Sequence, residues 1–233
     1  MTRLVSQCCW ILHRRAWRET SLLIELFSHE HGRVGLVARG ARAARSPWRG
    51  LGEPFVPLES EWLRRGELGT LVRLEQRGPR PILTGRALWC ALYANELVLT
   101  LTGRDEALPE LFSAYSDLLD TLGSDGGLAG PLRAFELALL SALGVAPDFE
   151  CEAGSGQPIE PEAHYRLDPE YGFIEADGSA RRVYVGAAIL ALGRGRPVAT
   201  EHRREVRELT RCLIDHQLDG KVLKTRELFR SMQ

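Results

Sequence analysis

The chain has 233 residues, 44% hydrophobic and 26% charged, with a formal net charge of −1 at pH 7. These values are typical of a soluble globular protein with one large domain or two or three small ones. No stretch of about 18 uncharged apolar residues is present, and the apolar run near the N-terminus ends in charges rather than in small residues. We therefore expect no membrane span, no signal peptide and a cytoplasmic location.

The net charge conceals a difference between the two parts of the chain. Residues 1–80 contain 14 Arg and 8 Glu, a balance of +6, whereas residues 81–233 have a balance of −7. A basic front part followed by an acidic remainder predicts two domains, 1–80 and 81–233, that bind different partners.

The first 80 residues read as short strands. Alternating apolar residues predict strands, and a tight turn is predicted at His29–Gly32. The five predicted strands cover 4–12, 22–27, 34–38, 55–63 and 68–75. The run 41–45 predicts a helical turn that Pro47 ends. Five short strands with a helical insertion after the third predict a small Greek-key barrel, and the OB-fold is the commonest barrel of this size.

The chain becomes helical after the prolines at 79 and 81. A helix beginning after Thr84 would carry Leu88, Leu92, Glu96 and Leu99 on one side, and the next helix, 108–122, has apolar residues at a regular three-four spacing. A third helix opens at Pro131 and ends at Gly144. Short strands at 165–167 and 173–175 precede helices at 186–192 and 201–218. The predicted class is α+β: an N-terminal five-stranded OB-fold barrel followed by a mainly α-helical domain with a small irregular insertion, 146–185.

The sequence contains no pattern that supports catalysis. Phosphate-binding loops, dinucleotide fingerprints and the common hydrolase and metalloprotease motifs are absent. Glu96 and Glu136 are better explained as helix-surface or inter-helix ion-pair residues than as a catalytic pair. Residues 1–80 contain no Asp, which argues against a two-metal nuclease site there. We therefore predict no enzymatic activity and no cofactor.

The strongest functional signal is a group of arginines in the basic part. Arginine near phosphates and tryptophan near bases are the elements of a sequence-tolerant nucleic-acid surface. The predicted phosphate contacts are Arg14, Arg15, Arg18, Arg33, Arg39, Arg42, Arg45 and Arg49. Trp17 and Trp48 are candidates for base stacking, with the barrel core as the alternative place for each. An RNA-binding module and a protein adaptor with a basic face remain open alternatives.

Several segments of the chain resemble a known family. These are LHRR (12–15), ETSLL (19–23), HGRVGLVARGAR (31–42), EPFVPL (53–58), GELGTL (66–71), LYANEL (92–97), LRAFELALL (132–140) and GKVLKTR (220–226). They resemble the bacterial recombination-mediator family RecO over nearly the whole chain, most specifically in 12–58. The resemblance implies an OB-fold, a helical middle and a non-catalytic activity in DNA repair at the nucleoid.

The resemblance also implies partners. Proteins of this family bind single- and double-stranded DNA, anneal complementary strands, bind the C-terminal tail of SSB and act with RecR to load RecA. That tail is an acidic peptide ending in a Phe carboxylate, so its site needs an apolar pocket with a cationic rim. Arg133, Arg203 and Arg204 are the candidates, with pairing to Glu136 or Glu205 as the alternative.

One departure from the family concerns zinc. Many members carry four cysteines after the third helix, whereas this chain retains Cys151 alone in that region. One thiolate cannot form a four-coordinate site, so we predict no zinc, and the insertion 146–185 must be held by packing.

Overall fold

The computed structural model describes residues 2–48, 50–124, 127–176 and 182–231. The described residues form two compact units, one from within 1–131 and 223–233 and the other from within 132–222. No helix among them is long and apolar enough to cross a membrane. The α+β class, with a barrel followed by helices, is confirmed, whereas the domain boundary at 80/81 stays a prediction.

Five strands form a closed barrel in the order β1-β2-β3-β5-β4, with β3 and β5 parallel. They are β1 (Thr2–Trp17), β2 (Ser21–Ser28), β3 (Gly32–Ala38), β4 (Leu58–Arg65) and β5 (Leu68–Gln76). All five predicted strands are confirmed. β1 is longer than predicted because its first half pairs with β4 and its second half with β2, with irregular pairing between Leu4 and Gln7 and between Ile11 and His13. Such bulges bend a strand enough for it to pair with two neighbouring strands in a closed barrel.

The strands bury apolar side chains on both faces. Leu22, Ile24 and Leu26 point into the barrel core, in which Trp62 is fully buried. Phe27 lies on the outer face of β2 and is also fully buried, because its ring packs against Phe112 and Tyr115 of a helix. A strand covered on both faces carries apolar residues on both of them, and Glu25 is the one charged residue within 22–27.

The predicted helical turn at 41–45 is wrong. The Ala43 N–H donates to the Gly40 carbonyl and the Ser46 N–H donates to the Ala43 carbonyl, so the loop after β3 consists of successive tight turns. Gly40 has a φ of 68°, a left-handed conformation that does not continue into a helix, and Pro47 follows directly.

The helices of the first unit are α1 (Gly85–Leu101), α2 (Pro109–Leu122), the start of α3 (Ala129–Ala142), and a C-terminal helix, Lys224–Ser231, which the sequence analysis did not predict. α2 buries the predicted apolar face. The most buried residues of α1 are Ala91, Ala94, Asn95, Leu97 and Val98, whereas the predicted row of Leu88, Leu92, Glu96 and Leu99 is only partly buried. α3 begins at Ala129 rather than at Pro131, because a proline in the first turn lacks only an N–H that has no helical partner.

Buried polar contacts explain why α1 presents this face. Asn95 Nδ2 donates to the Leu12 carbonyl at 2.8 Å, and the Tyr115 hydroxyl donates to the Asn95 side-chain oxygen. Trp10 of β1 also contacts the next helix: its Nε1 donates to Ser116 Oγ of α2 at 2.9 Å. A buried amide must find partners, so Asn95 fixes the side of α1 that faces β1, and the small alanines beside it allow close approach.

The second unit contains most of α3, followed by β6 (His164–Asp168), β7 (Gly172–Glu175), β8 (Tyr184–Val185), α4 (Gly186–Gly193) and α5 (Arg203–Leu218). The C-terminal helix of the first unit, Lys224–Ser231, is α6. The two short strands and α4 are confirmed. α5 starts later than predicted because Thr200–His202 forms a 3-10 turn. In the insertion, the Ala153 N–H donates to the Phe173 carbonyl at 2.6 Å, and the Phe149 and Phe173 rings lie 5.5 Å apart.

Candidate nucleic-acid interface

The β1–β2 hairpin and the loop after β3 meet at one end of the barrel, which we call the open end. Arg14 pairs with Ile24 across the hairpin, and Leu22 pairs with Ala38 of β3. The Arg42 N–H donates to the Thr20 carbonyl at 2.8 Å, which ties the loop to the hairpin turn. Arginines that are distant in sequence therefore belong to one connected surface.

The side chains on this surface are exposed. Arg15, Arg18, Arg39, Arg42 and Arg45 are all exposed. No ion pair involves these five arginines within the part of the chain that the structure describes. Their positive charge is consequently not neutralised by neighbouring carboxylates and remains available for an anionic ligand.

The two candidate stacking residues occupy different surroundings. Trp17 is half-buried near the end of β1, and the Arg15 guanidinium carbon lies 5.9 Å from the centre of its ring. Trp48 lies in the loop after β3 and packs, partly buried, against the barrel core. Arg49 lies outside the described residues, so its predicted role stays a prediction.

A pocket of about 170 Å³ opens between this loop and the barrel. Arg14 and Glu53 stand at it as an ion pair of 2.6 Å, each with almost two fifths of its side chain exposed. The sequence analysis missed Glu53 as a member of the site. Its position as the first acidic residue after Gly32 is the signal that could have identified it, because a lone carboxylate among arginines finds a partner.

Arg33 does not join this surface. It follows the β2–β3 turn, at the end of β2 opposite the β1–β2 hairpin. Its guanidinium donates to the Leu99 carbonyl at 2.8 Å and to the Thr102 carbonyl at 2.5 Å, and lies 3.6 Å from the Glu25 carboxylate. Burial lowers the pKa of Arg33, with Glu25 acting in the opposite direction. Only 12% of its side chain is exposed, so it serves as a C-terminal partner for α1 rather than as a phosphate contact.

Two arginines on the side of the barrel also form ion pairs with glutamates. Arg3 and Arg73 both contact the Glu61 carboxylate, at 2.6 and 3.3 Å, and Arg73 also contacts Glu75. The hydrogen bond from Arg3 is the main reason why the pKa of Glu61 lies below its ordinary value. Arg3 and Arg73 are therefore neutralised by carboxylates, in contrast to the five arginines of the open end.

The three candidates for the SSB tail lie in the second unit. Arg133 is largely buried and contacts Glu136 at 2.6 Å. Arg204 pairs with Glu208 at 3.0 Å but keeps 82% of its side chain exposed. Arg203, at the start of α5, is exposed. Of the two carboxylates named as alternative partners, Glu136 pairs with Arg133, while Glu205 lies near His202.

The carboxylate of Glu96 and the cysteines, which lie outside the open end, have contacts that stabilise the fold. The Glu96 carboxylate accepts hydrogen bonds from the N–H groups of Lys224 and Thr225 and so caps α6. All five cysteines are unbridged, and burial raises the pKa of Cys9 to about 12. Among the residues described, no group of three or more His, Cys, Asp or Glu side chains is placed to hold a metal ion.

A closed barrel with this strand order, a basic open end and helices packed on its outer face defines an OB-fold protein with a helical second part. Two family models match the chain: recombination protein O N terminal over residues 1–80, and recombination protein O C terminal over residues 83–227. The chain therefore belongs to the recombination protein O (RecO) family, and the resemblance noted in the sequence is confirmed.

Individual relatives give the same result. DNA repair protein RecO of Aromatoleum aromaticum is 42% identical over 233 residues, which cover 99% of this chain and 97% of that protein. The protein of the same name from Methylococcus capsulatus is 42% identical over 230 residues, covering 99% and 95% of the two chains. That of Vibrio cholerae is 38% identical over 224 residues, covering 96% and 93%. The similarity thus extends over nearly the full length of this chain and of each relative.

Proposed function

We propose that the protein is a non-catalytic recombination mediator in DNA repair. It binds single- and double-stranded DNA, anneals complementary strands, and engages SSB and RecR to promote loading of RecA on SSB-coated strands. The observation that carries this proposal is the open end of the barrel, where five exposed arginines have no carboxylate partner among the described residues. The match to the RecO family supports the same assignment.

The open end is suited to a phosphate backbone. Guanidiniums replace the counterions condensed on DNA, and the release of those counterions drives binding without regard to sequence. Arg15, Arg18, Arg39, Arg42 and Arg45 supply this charge, together with Arg14 at the rim of the pocket, and Arg49 stays a contact predicted from the sequence alone. Arg33 is left out of the proposed surface because it holds the end of α1.

Annealing follows from the same charge. Two complementary strands repel each other through their phosphates, and a basic surface reduces that repulsion while making few hydrogen bonds to the base edges. The reaction needs no ATP and no metal ion, in agreement with the absence of nucleotide-binding motifs from the sequence. A strict requirement for ATP in the purified protein would contradict this mechanism.

A strand-annealing assay, with and without SSB on the strands, tests the proposal. We expect the protein to accelerate pairing of complementary oligonucleotides in both cases, and an Arg39→Ala, Arg42→Ala, Arg45→Ala variant to lose most of the acceleration. Matched RNA oligonucleotides serve as the comparison for an RNA-binding role. No acceleration by the wild-type protein, or a clear preference for RNA, would overturn the proposal.

The second unit provides the proposed site for the SSB tail. Arg203 and Arg204 are the better candidates because both are exposed, whereas Arg133 is held by Glu136. We expect an Arg203→Ala, Arg204→Ala variant to bind a labelled tail peptide several-fold more weakly, with Arg211→Ala as a matched α5 control. Equal affinity of the variant and the wild-type protein would remove both arginines from the site.

This arrangement divides the partners between the two proposed domains. DNA binds to residues 1–80, which agrees with their basic charge, whereas the acidic SSB tail binds to exposed arginines within 81–233 against the net negative charge of that part. The function places the protein in the cytoplasm at the nucleoid.

A further inference from the structure

The pocket at the open end combines three features that DNA-binding arginines alone do not require. Its floor is apolar and consists of barrel-core residues from three strands, among them Leu22, Ile24 and Leu74. Trp48 forms one wall from the loop after β3. The ion pair of Arg14 and Glu53 forms a polar edge, where one group donates hydrogen bonds and the other accepts them.

We infer that this pocket holds a single unpaired nucleobase of the bound strand. The inference rests on the proposed DNA-binding function and identifies the part of the DNA that enters this site. A base has two apolar faces and an edge that carries both donors and acceptors, so it matches an aromatic wall, an apolar floor and a paired Arg–Glu edge.

The size of the pocket agrees with such an occupant. A buried water needs only about 10–15 Å³ of comparable volume, so a pocket of about 170 Å³ accommodates a group much larger than one water molecule. Arg39 and Arg42 directly follow Ala38 and Ala41, two residues that line the pocket, and together with the exposed arginines of the hairpin they bind the phosphates on either side of the inserted base. A free nucleotide has no neighbouring phosphates and therefore binds far more weakly than a strand.

The pocket distinguishes single strands from duplexes. In a duplex the bases are stacked and their pairing edges are occupied, so filling the pocket would require a base to be extruded, which is unfavourable. Duplex DNA therefore contacts the arginines but leaves the pocket empty, whereas a single strand uses both. One electrostatic surface thus serves both forms of DNA, and the pocket contributes only to the binding of unpaired strands.

Two variants isolate the pocket from the charge. Trp48→Ala removes the stacking wall, and Ala41→Leu fills the pocket from the same loop, since Ala41 lines it and is only partly buried. Neither substitution alters an arginine. Binding is measured by fluorescence anisotropy with three probes of equal length: an oligothymidylate, an oligomer of abasic sites and a duplex.

We expect each variant to bind the oligothymidylate at least about fivefold more weakly and to keep its affinity for the abasic oligomer and the duplex within about twofold. Arg39→Ala is the matched charge control and should weaken binding of all three probes together. Equal losses on all three probes, or unchanged affinity for the oligothymidylate, would overturn the inference. If the wild-type protein binds oligothymidylate and abasic oligomer equally, the pocket is refuted while the DNA-binding function stands; binding to neither refutes both.

Tryptophan fluorescence gives a second test that does not depend on a truncated side chain. A base stacked on Trp48 quenches its emission, so addition of oligothymidylate should quench the wild-type protein more than a Trp48→Phe variant, which keeps an aromatic wall. Abasic oligomer should quench both equally. The same quenching of wild-type protein and variant by oligothymidylate would show that no base reaches Trp48.

Discussion

Arg33 lies in β3 and Arg39 directly follows that strand, yet their guanidiniums meet different surroundings. Arg33 is almost enclosed, and two carbonyls at the end of α1 and the Glu25 carboxylate surround it. Arg39 is exposed at the open end. The difference shows that the same residue type joins barrel to helix where it is desolvated and paired, and stays available to phosphates where it is neither. Charge counts alone do not separate these roles.

The largest expected effect concerns this pair of arginines. Arg33→Leu should lower the free energy of unfolding by about 3 kcal/mol, because it leaves the Leu99 and Thr102 carbonyls without their donor and Glu25 without one of its cations. Arg39→Leu should change it by less than about 0.5 kcal/mol, as expected at an exposed position. Urea unfolding followed by circular dichroism measures both values. Equal effects of the two substitutions would contradict the different roles assigned to Arg33 and Arg39.

The next effect concerns DNA affinity. Removing Arg39, Arg42 and Arg45 together should weaken binding of single strands on the order of a hundredfold at 0.1 M salt and flatten the slope of log K against log salt by about 2, since each phosphate contact contributes about 0.7. An Arg196→Ala, Arg207→Ala, Arg211→Ala variant removes the same charge from exposed positions in the second unit and should keep the slope. Salt titrations that give the same slope for both triple variants would show that net charge, and not the open end, drives binding.

A smaller effect separates the two glutamates that pair with arginines at the two ends. Glu25 has 12% of its side chain exposed and contacts both Arg33 and Arg104, whereas Glu53 is 39% exposed and pairs with Arg14. Glu25→Gln should destabilise the protein by about 2 kcal/mol, and Glu53→Gln by less than about 1 kcal/mol, because solvent screens the exposed pair. Thermal unfolding distinguishes them. A larger loss for Glu53→Gln would contradict the burial that underlies the comparison.

Much of the fold could be predicted because the signals are local. Alternation at 22–27 and 34–38 and the three-four spacing in α2 identified elements that the structure confirms. The face of α1 could not be predicted in the same way. Leu88, Leu92 and Leu99 form the more apolar row, but Asn95 must bond to β1, and this long-range requirement decides the orientation of the helix.

The candidate surface could likewise be predicted only in part from the sequence. The cluster of arginines is visible in the sequence, and the structure brings most of its described members to the open end. The roles of Arg33 and Glu53 were not visible, because each depends on a partner from another element: α1 for Arg33 and β1 for Glu53. The pocket likewise needs β2, β5 and the loop after β3 together.

The amino-acid sequence is sufficient to establish the order of the elements, the basic character of the first 80 residues and the membership in the family, since periodicity, charge and residue identity can be read along the chain. Which arginines are neutralised and which are exposed depends on the tertiary structure, as does the pocket that Trp48 lines at the open end. The physical reason is that the surroundings of a charge depend on burial and on partners within a few ångströms, and barrel closure brings those partners from distant parts of the chain.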